Sequence, residues 1–161
     1  MTAMAATSVT YQPLAALPNG SHTPVGLAWP VNPLYDIRLG ELIALSESLA
    51  VATSQIAQFD NSQTGARPAI VVRIFNDNMF NLEYLGGMRY LDDQFLAAAK
   101  PVLDLIAMQS WAICHMRPGI ELELHWIPGH GHQVEQHIWA DRLAKEARNS
   151  GQPFSSLAGH N

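Results

Sequence analysis

Ile120–Arg148, IELELHWIPGHGHQVEQHIWADRLAKEAR, changes its hydrophobic period within one short span. Ile120 to Ile127 alternates apolar and polar for most of its length, which predicts a strand with one buried face. Pro128-Gly129-His130-Gly131-His132 reads as a loop. Val134 to Arg148 then reads as the last helix. Upstream, Pro68 to Phe75 (PAIVVRIF) is largely apolar and β-branched, as in a strand buried on both faces. Asn76-Asp77 reads as the cap of a helix running to about Leu85, ended by Gly86-Gly87. Asp93 to Met116 is a longer helical region with Phe95, Ala99, Val102, Ile106 and Ile113 on one face. Pro101 kinks it or begins a second helix, and Trp111 is expected in the core. From Leu39 onward, Leu42, Leu45, Leu49, Ala52 and Ile56 recur at steps of three and four, one face of an amphipathic helix. Before that, Val9 to Leu17 reads as a strand interrupted by Pro13. Pro18-Asn19-Gly20-Ser21 is a turn signal, Val25 to Val31 a second strand, and a short third strand lies near Leu34 to Ile37. Residues 1–8 and 150–161 are small and polar and read as flexible tails on a domain spanning 9–149. The order βββ-α-β-α-α-β-α predicts an α/β domain. Its five-stranded mixed sheet would be an antiparallel meander plus two crossover strands, with helices on both faces.

A chain of 161 residues with 48% hydrophobic content can bury one sizeable core. No apolar stretch approaches the roughly 18 residues of a membrane helix, so no membrane role is expected. Met1 to Thr10 lacks a basic start followed by an apolar run, and so does not read as a secretory signal. A single cysteine, Cys114, points to a reducing compartment, hence an intracellular setting, cytoplasmic or nuclear. Nine Lys and Arg stand against fourteen Asp and Glu, for a net charge of −5. Affinity for a phosphate backbone comes from cationic side chains that release counterions, so this balance counts against a strong nucleic-acid binder.

Three acids lie at element ends, where open α/β sheets place their chemistry. Asp77 follows the buried strand by two residues. Glu41 falls in the first turn of the first helix, beside its apolar stripe. Asp141 precedes the apolar Leu143-Ala144 of the last helix. Each also has a purely structural explanation: a helix cap for Asp77, the helix dipole for Glu41, and pairing with Arg142 or Lys145 for Asp141.

The residues around these acids carry a resemblance. His125-Trp126-Ile127-Pro128-Gly129-His130, followed by Ala140-Asp141-Arg142-Leu143-Ala144-Lys145, is similar to the closing motif of the ribonuclease H type 1 family, W-x-P-G-H and then A-D-x-L-A-K. Gly40-Glu41-Leu42-Ile43-Ala44-Leu45 resembles its [A/G]-E-L-x-A-[I/L] helix start. Ile74-Phe75-Asn76-Asp77-Asn78 resembles its [F/Y]-[S/T]-D-S strand end, with Asn in both flanking places. The resemblance covers Asn19 to Arg148 in the family's order, and the wording is nearest to fungal and retroelement-derived members. It implies a ribonuclease H-like fold and a site of four carboxylates holding two Mg²⁺ (or Mn²⁺) that cleaves the RNA strand of an RNA/DNA hybrid. Magnesium prefers carboxylate oxygens, and two such ions ~4 Å apart need several negative ligands. Carried over, Glu41, Asp77 and Asp141 fill three of the four places. Asn78 and Arg142, beside two of these acids, are the implied nucleic-acid contacts.

The fourth place belongs to an Asp-Gly-Ser, for which this chain offers Asn19-Gly20-Ser21. Asparagine keeps the shape of aspartate but is neutral, so the resemblance implies an impaired site with reduced metal occupancy. Asn19-Gly20 is equally a tight hairpin turn. His130 matches the family's loop histidine, for which the resemblance implies help with proton transfer or product release. His125, His130, His132 and His137 cluster without a neighbouring cysteine, which speaks against zinc. The segment 86–101, where the family carries a basic hybrid-gripping stretch, holds only Arg89 and Lys100, against Asp92 and Asp93. Two functions follow. One is an impaired RNA/DNA-hybrid ribonuclease; the other is a catalytically silent module that binds nucleic acid or a protein partner.

Overall fold

The computed structural model of the chain describes residues 5–14, 24–31, 36–128 and 134–157. Among them the order is β1 (Ala5–Tyr11), β2 (Val25–Val31), α1 (Ile37–Ser62), β3 (Ile70–Asn76), α2 (Met79–Leu85), α3 (Asp93–His115), β4 (Ile120–Trp126), α4 (Glu135–Ser150) and β5 (Phe154–Leu157). The chain divides into two compact units, residues 1–40 with 130–161, and residues 41–129. No helix among the described residues is long and apolar enough to cross a membrane.

In the first unit β1 and β2 pair antiparallel, from Ala5 opposite Val31 to Tyr11 opposite Val25. The third strand is β5, antiparallel to β2, which gives the order β1-β2-β5. Sequence reading put the third strand near Leu34 to Ile37. Leu34 lies outside the described residues, and Ile37 opens α1. Ala5–Ser8 and Phe154–Leu157, read as tails, are strand instead. Small polar residues carry little local β signal, and their ladder partners supply the pairing. Helix α4 lies over this sheet. Ser8 Oγ donates to Ala140 O at 2.7 Å, and Thr10 Oγ1 donates to Gln136 O at 3.4 Å. Ala28, Trp139, Leu143 and Ala147 make the buried cluster between them. At Gly26 an added Cβ would overlap Leu143 Cδ1 and stand 3.0 Å from Trp139 Cζ2, so a glycine lets helix and strand approach this closely.

In the second unit β3 and β4 are parallel, in register from Ile70 opposite Ile120 to Asn76 opposite Trp126. They belong to an α/β arrangement in which a helical connection, α2 and α3, crosses between parallel neighbours. The described strands thus combine antiparallel and parallel pairing, as expected of a mixed α/β fold, with β1-β2-β5 in the first unit and β3-β4 in the second. Residues Leu42, Leu45, Ser46, Leu49 and Ile56 are the buried stripe of α1. Ser46 Oγ lies 3.0 Å from Gln109 Oε1 of α3, a hydrogen bond in which the hydroxyl donates. Helix α3 buries Phe95, Ala99, Ile106 and Ile113, close to the stripe read from the sequence, and runs unbroken through Pro101. Trp111 is not in the core. It is 65% exposed and stacks on His115, ring centroids 4.3 Å apart. At 100° per residue it lies roughly 200° around the helix from Ile113, on the far side from the buried stripe.

The two strand entrances are fixed by one cation. Arg117 Nε donates to both oxygens of Asp60, at 3.2 and 3.0 Å. Its Nη2 donates to Pro68 O at 2.7 Å, and its Nη1 to Pro118 O at 3.1 Å. The end of α1 and the approaches to β3 and β4 therefore share one guanidinium, whose fork suits several acceptors at once.

Candidate functional site

Asp77 leaves the carboxyl end of β3 and is the best-defined of the acids. The two asparagines around it have separate duties. Asn76 Oδ1 accepts the Asn78 N–H at 2.8 Å, which turns the chain out of the strand. Asn78 Oδ1 accepts the Asn81 N–H at 3.1 Å and caps α2. The cap is therefore Asn78, not the Asn76-Asp77 pair read from the sequence. Asp77 lies between these two asparagines, one residue past the end of β3 and one before the cap of α2. Asn78, an implied nucleic-acid contact, has its side-chain oxygen engaged in the helix itself.

Strand β4 closes on this turn. Ile127 N donates to Asn76 O at 3.1 Å, one step past the strand ladder. Trp126 Nε1 donates to Asp77 O at 3.3 Å. Two of the sequence motifs, Phe75-Asn76-Asp77-Asn78 and His125-Trp126-Ile127-Pro128, are thereby joined by hydrogen bonds. The Trp126 contact is one that sequence reasoning missed: the tryptophan was legible as part of a motif but had no stated partner.

Glu41 is half-buried on α1 beside the buried Leu42. It is the fifth residue of the helix, not a first-turn residue, because α1 opens at Ile37 and has no acid in its first turn. The dipole explanation for Glu41 weakens accordingly, since that effect falls off within the first turn. Asp36 precedes α1 rather than lying in a strand, and is occupied by Arg38. Its Oδ1 accepts the Arg38 amide at 2.9 Å, and the guanidinium reaches both carboxylate oxygens. That hydrogen bonding holds the Asp36 carboxyl below its ordinary pKa.

Asp141 and Arg142 are exposed on α4, one and two residues after the Ala140 carbonyl that Ser8 holds. Leu143 is the buried residue next to them, so the helix is anchored while its acid stays in solvent. Glu41 and Asp77 belong to the unit of residues 41–129, and Asp141 to the other. Asn19 and His130 lie outside the described residues, as does His132. Among the described residues no group of three or more His, Cys, Asp or Glu is gathered closely enough to hold a metal ion. The implied pair of divalent ions thus has no assembled donor set among those residues, and no chemical step is derived through it.

On one face of β3 and β4, Arg73 Nε donates to Glu123 Oε2 at 2.7 Å, and His125 Nε2 donates to the same oxygen at 2.8 Å. The hydrogen bond from His125 first, then that from Arg73, lowers the Glu123 pKa. The His125 ring also stacks on Phe75, centroids 5.3 Å apart. The two cations of the 86–101 segment are already paired. Arg89 donates to Glu83 at 2.6 Å and lies over the Phe80 ring at 4.8 Å, and Lys100 pairs with Asp104 at 2.6 Å. Arg142, Lys145 and Arg148 are exposed along α4.

No family model and no curated protein sequence matches the chain. In structure it is similar to the N-terminal RNase H domain of a Mycobacterium tuberculosis protein, with 14% identity, 90% of this chain and 98% of that one covered, and a TM-score of 0.45. It is also similar to LC9-RNase H1, a type 1 RNase H with the type 2 active-site motif, with 15% identity, 97% and 74% coverage and a TM-score of 0.49. A third likeness is to the prototype foamy virus protease-reverse transcriptase, with 14% identity, 90% of this chain and 20% of that one covered, and a TM-score of 0.43.

Proposed function

We propose that this chain is a ribonuclease H-like domain that binds RNA/DNA hybrids and hydrolyses their RNA strand, weakly because Asn19 stands in place of an aspartate. The observation that carries the reading is the hydrogen bond from Trp126 to the Asp77 carbonyl, 3.3 Å across a separation of 49 residues. It unites two motifs that the family places at one site. The place of Asp77, just past the carboxyl end of β3, supports the same reading, because open α/β sheets put their chemistry there.

In this reading Glu41, Asp77, Asp141 and the Asn19 side chain would hold Mg²⁺ or Mn²⁺, which when bound would supply activation of the attacking water and stabilisation of the leaving oxygen. His130 assists proton transfer, and Arg142 contributes a phosphate contact. Replacing aspartate by asparagine at position 19 takes away one negative charge from a site that has to hold two divalent cations.

A second reading has an observation in its favour. Asn19 in place of an aspartate, together with the −5 charge, fits a silent module that binds nucleic acid or protein. A hybrid cleavage assay with Mg²⁺ or Mn²⁺ separates the two. The ribonuclease reading requires that Asn19→Asp raise turnover above that of the natural chain, and that Asp77→Asn in the same background abolish it. If neither the natural chain nor Asn19→Asp cleaves, the ribonuclease reading is refuted and the silent module stands.

A further inference from the structure

We infer that Trp126 is a positioning residue for Asp77: its indole N–H holds the main-chain carbonyl of the acid and so fixes the point from which the carboxylate leaves β3. The catalytic consequence rests on the ribonuclease reading above, whereas the hold itself rests on geometry within residues 41–129.

The parallel ladder ends at the Asn76–Trp126 pair, and Ile127 N adds one more bond, to Asn76 O at 3.1 Å. One carbonyl further along, the Trp126 side chain supplies the donor instead of the main chain, reaching Asp77 O at 3.3 Å. On the other side, Asn76 Oδ1 holds the Asn78 N–H and Asn78 Oδ1 holds the Asn81 N–H. Three consecutive residues, Asn76, Asp77 and Asn78, thus each have a main-chain group engaged by a named partner.

An indole is well suited to the task. It donates and does not accept, and two side-chain torsions place the N–H, so little freedom is left once the ring is seated. Phenylalanine would keep the ring area and lose the donor. An acid that has to meet a reacting group within a fraction of an ångström gains from a fixed main-chain origin.

The test uses the full chain and its Trp126→Phe variant. The Asp77 carbonyl ¹³C resonance is expected to move upfield in Trp126→Phe, with the melting transition preserved. In an Asn19→Asp background, kcat on a defined RNA/DNA hybrid with Mn²⁺ is expected to fall ~10- to 100-fold with KM little changed, as for residues that orient a working group. An unmoved Asp77 carbonyl overturns the inference, and so does an unchanged kcat in a chain that cleaves. If Trp126→Phe does not fold, hydrogen exchange of the Trp126 indole N–H in the natural chain decides. Protection supports the hold, and exchange as fast as in a free peptide overturns it. If the Asn19→Asp chain cleaves no hybrid while the Asp77 carbonyl still responds to Trp126→Phe, the hold stands and the ribonuclease reading fails.

Discussion

The Asn76-Asp77-Asn78 run offers three side chains able to cap α2, and the one that does is Asn78, through the Asn81 N–H at 3.1 Å. Removing an N-cap acceptor costs about 1 kcal/mol. Asn78→Ala is expected to lower stability by about that amount in urea unfolding, while Asn78→Asp, which keeps an acceptor, retains most of it. Residue-level electrostatics give a second expectation, at Glu123. Its pKa is lowered by His125 and Arg73, so the ionised form is the one favoured by folding. The stabilisation is fully present above the pH near which an unfolded glutamate titrates, about 4.3, and is lost as pH falls through the lower folded value. Carboxyl chemical shifts should show the Glu123 midpoint rising in His125→Ala, and rising less in Arg73→Ala. An unchanged midpoint in both would remove the His125 and Arg73 hydrogen bonds as its cause.

At the scale of elements, long periodic segments were readable and their ends were not. The buried Leu42, Leu45, Leu49 and Ile56 of α1, and Phe95, Ala99, Ile106 and Ile113 of α3, follow directly from 3.6-residue spacing. The start of α1 at Ile37 carries no such signal, and that shift of two residues moves Glu41 out of the first turn. Trp111 failed as a core residue because size was weighed above its position around the helix. Strand β5 was illegible for a different reason: its hydrogen bonds come from β2, about 130 residues earlier in the chain, and nothing in Phe154-Ser155-Ser156-Leu157 announces that partner. Arg117 provides the test at this scale. Its side chain and that of Asp60 are 9% and 11% exposed, so removing one leaves the other charge poorly hydrated. Arg117→Ala is expected to destabilise the chain by roughly 3 kcal/mol. Arg117→Lys should recover only part of this, since a single ammonium cannot reproduce the fork to Asp60 and Pro68. Urea midpoints of the two variants close to that of the natural chain would contradict this account.

For the whole molecule, charge sets the expectation. With nine Lys and Arg against fourteen Asp and Glu, and with Arg89 and Lys100 bound to carboxylates, the candidate phosphate contacts are the exposed cations of α4, Arg142, Lys145 and Arg148. Three phosphate contacts would cost about 40-fold in hybrid affinity between 50 and 200 mM salt. Arg142→Ala is expected to reduce the logarithmic salt slope by about 1. A slope unaffected by that substitution would exclude Arg142 from the contact. The α/β class, the order of most elements and the identity of the candidate acids were all present in the sequence, because hydrophobic period and short motifs are local properties of a chain. The partner of β5, the choice of Asn78 as cap and the bond from Trp126 to Asp77 were decided by tertiary structure. Each depends on groups that meet only after the chain has folded, and no local preference encodes which distant donor finds which acceptor.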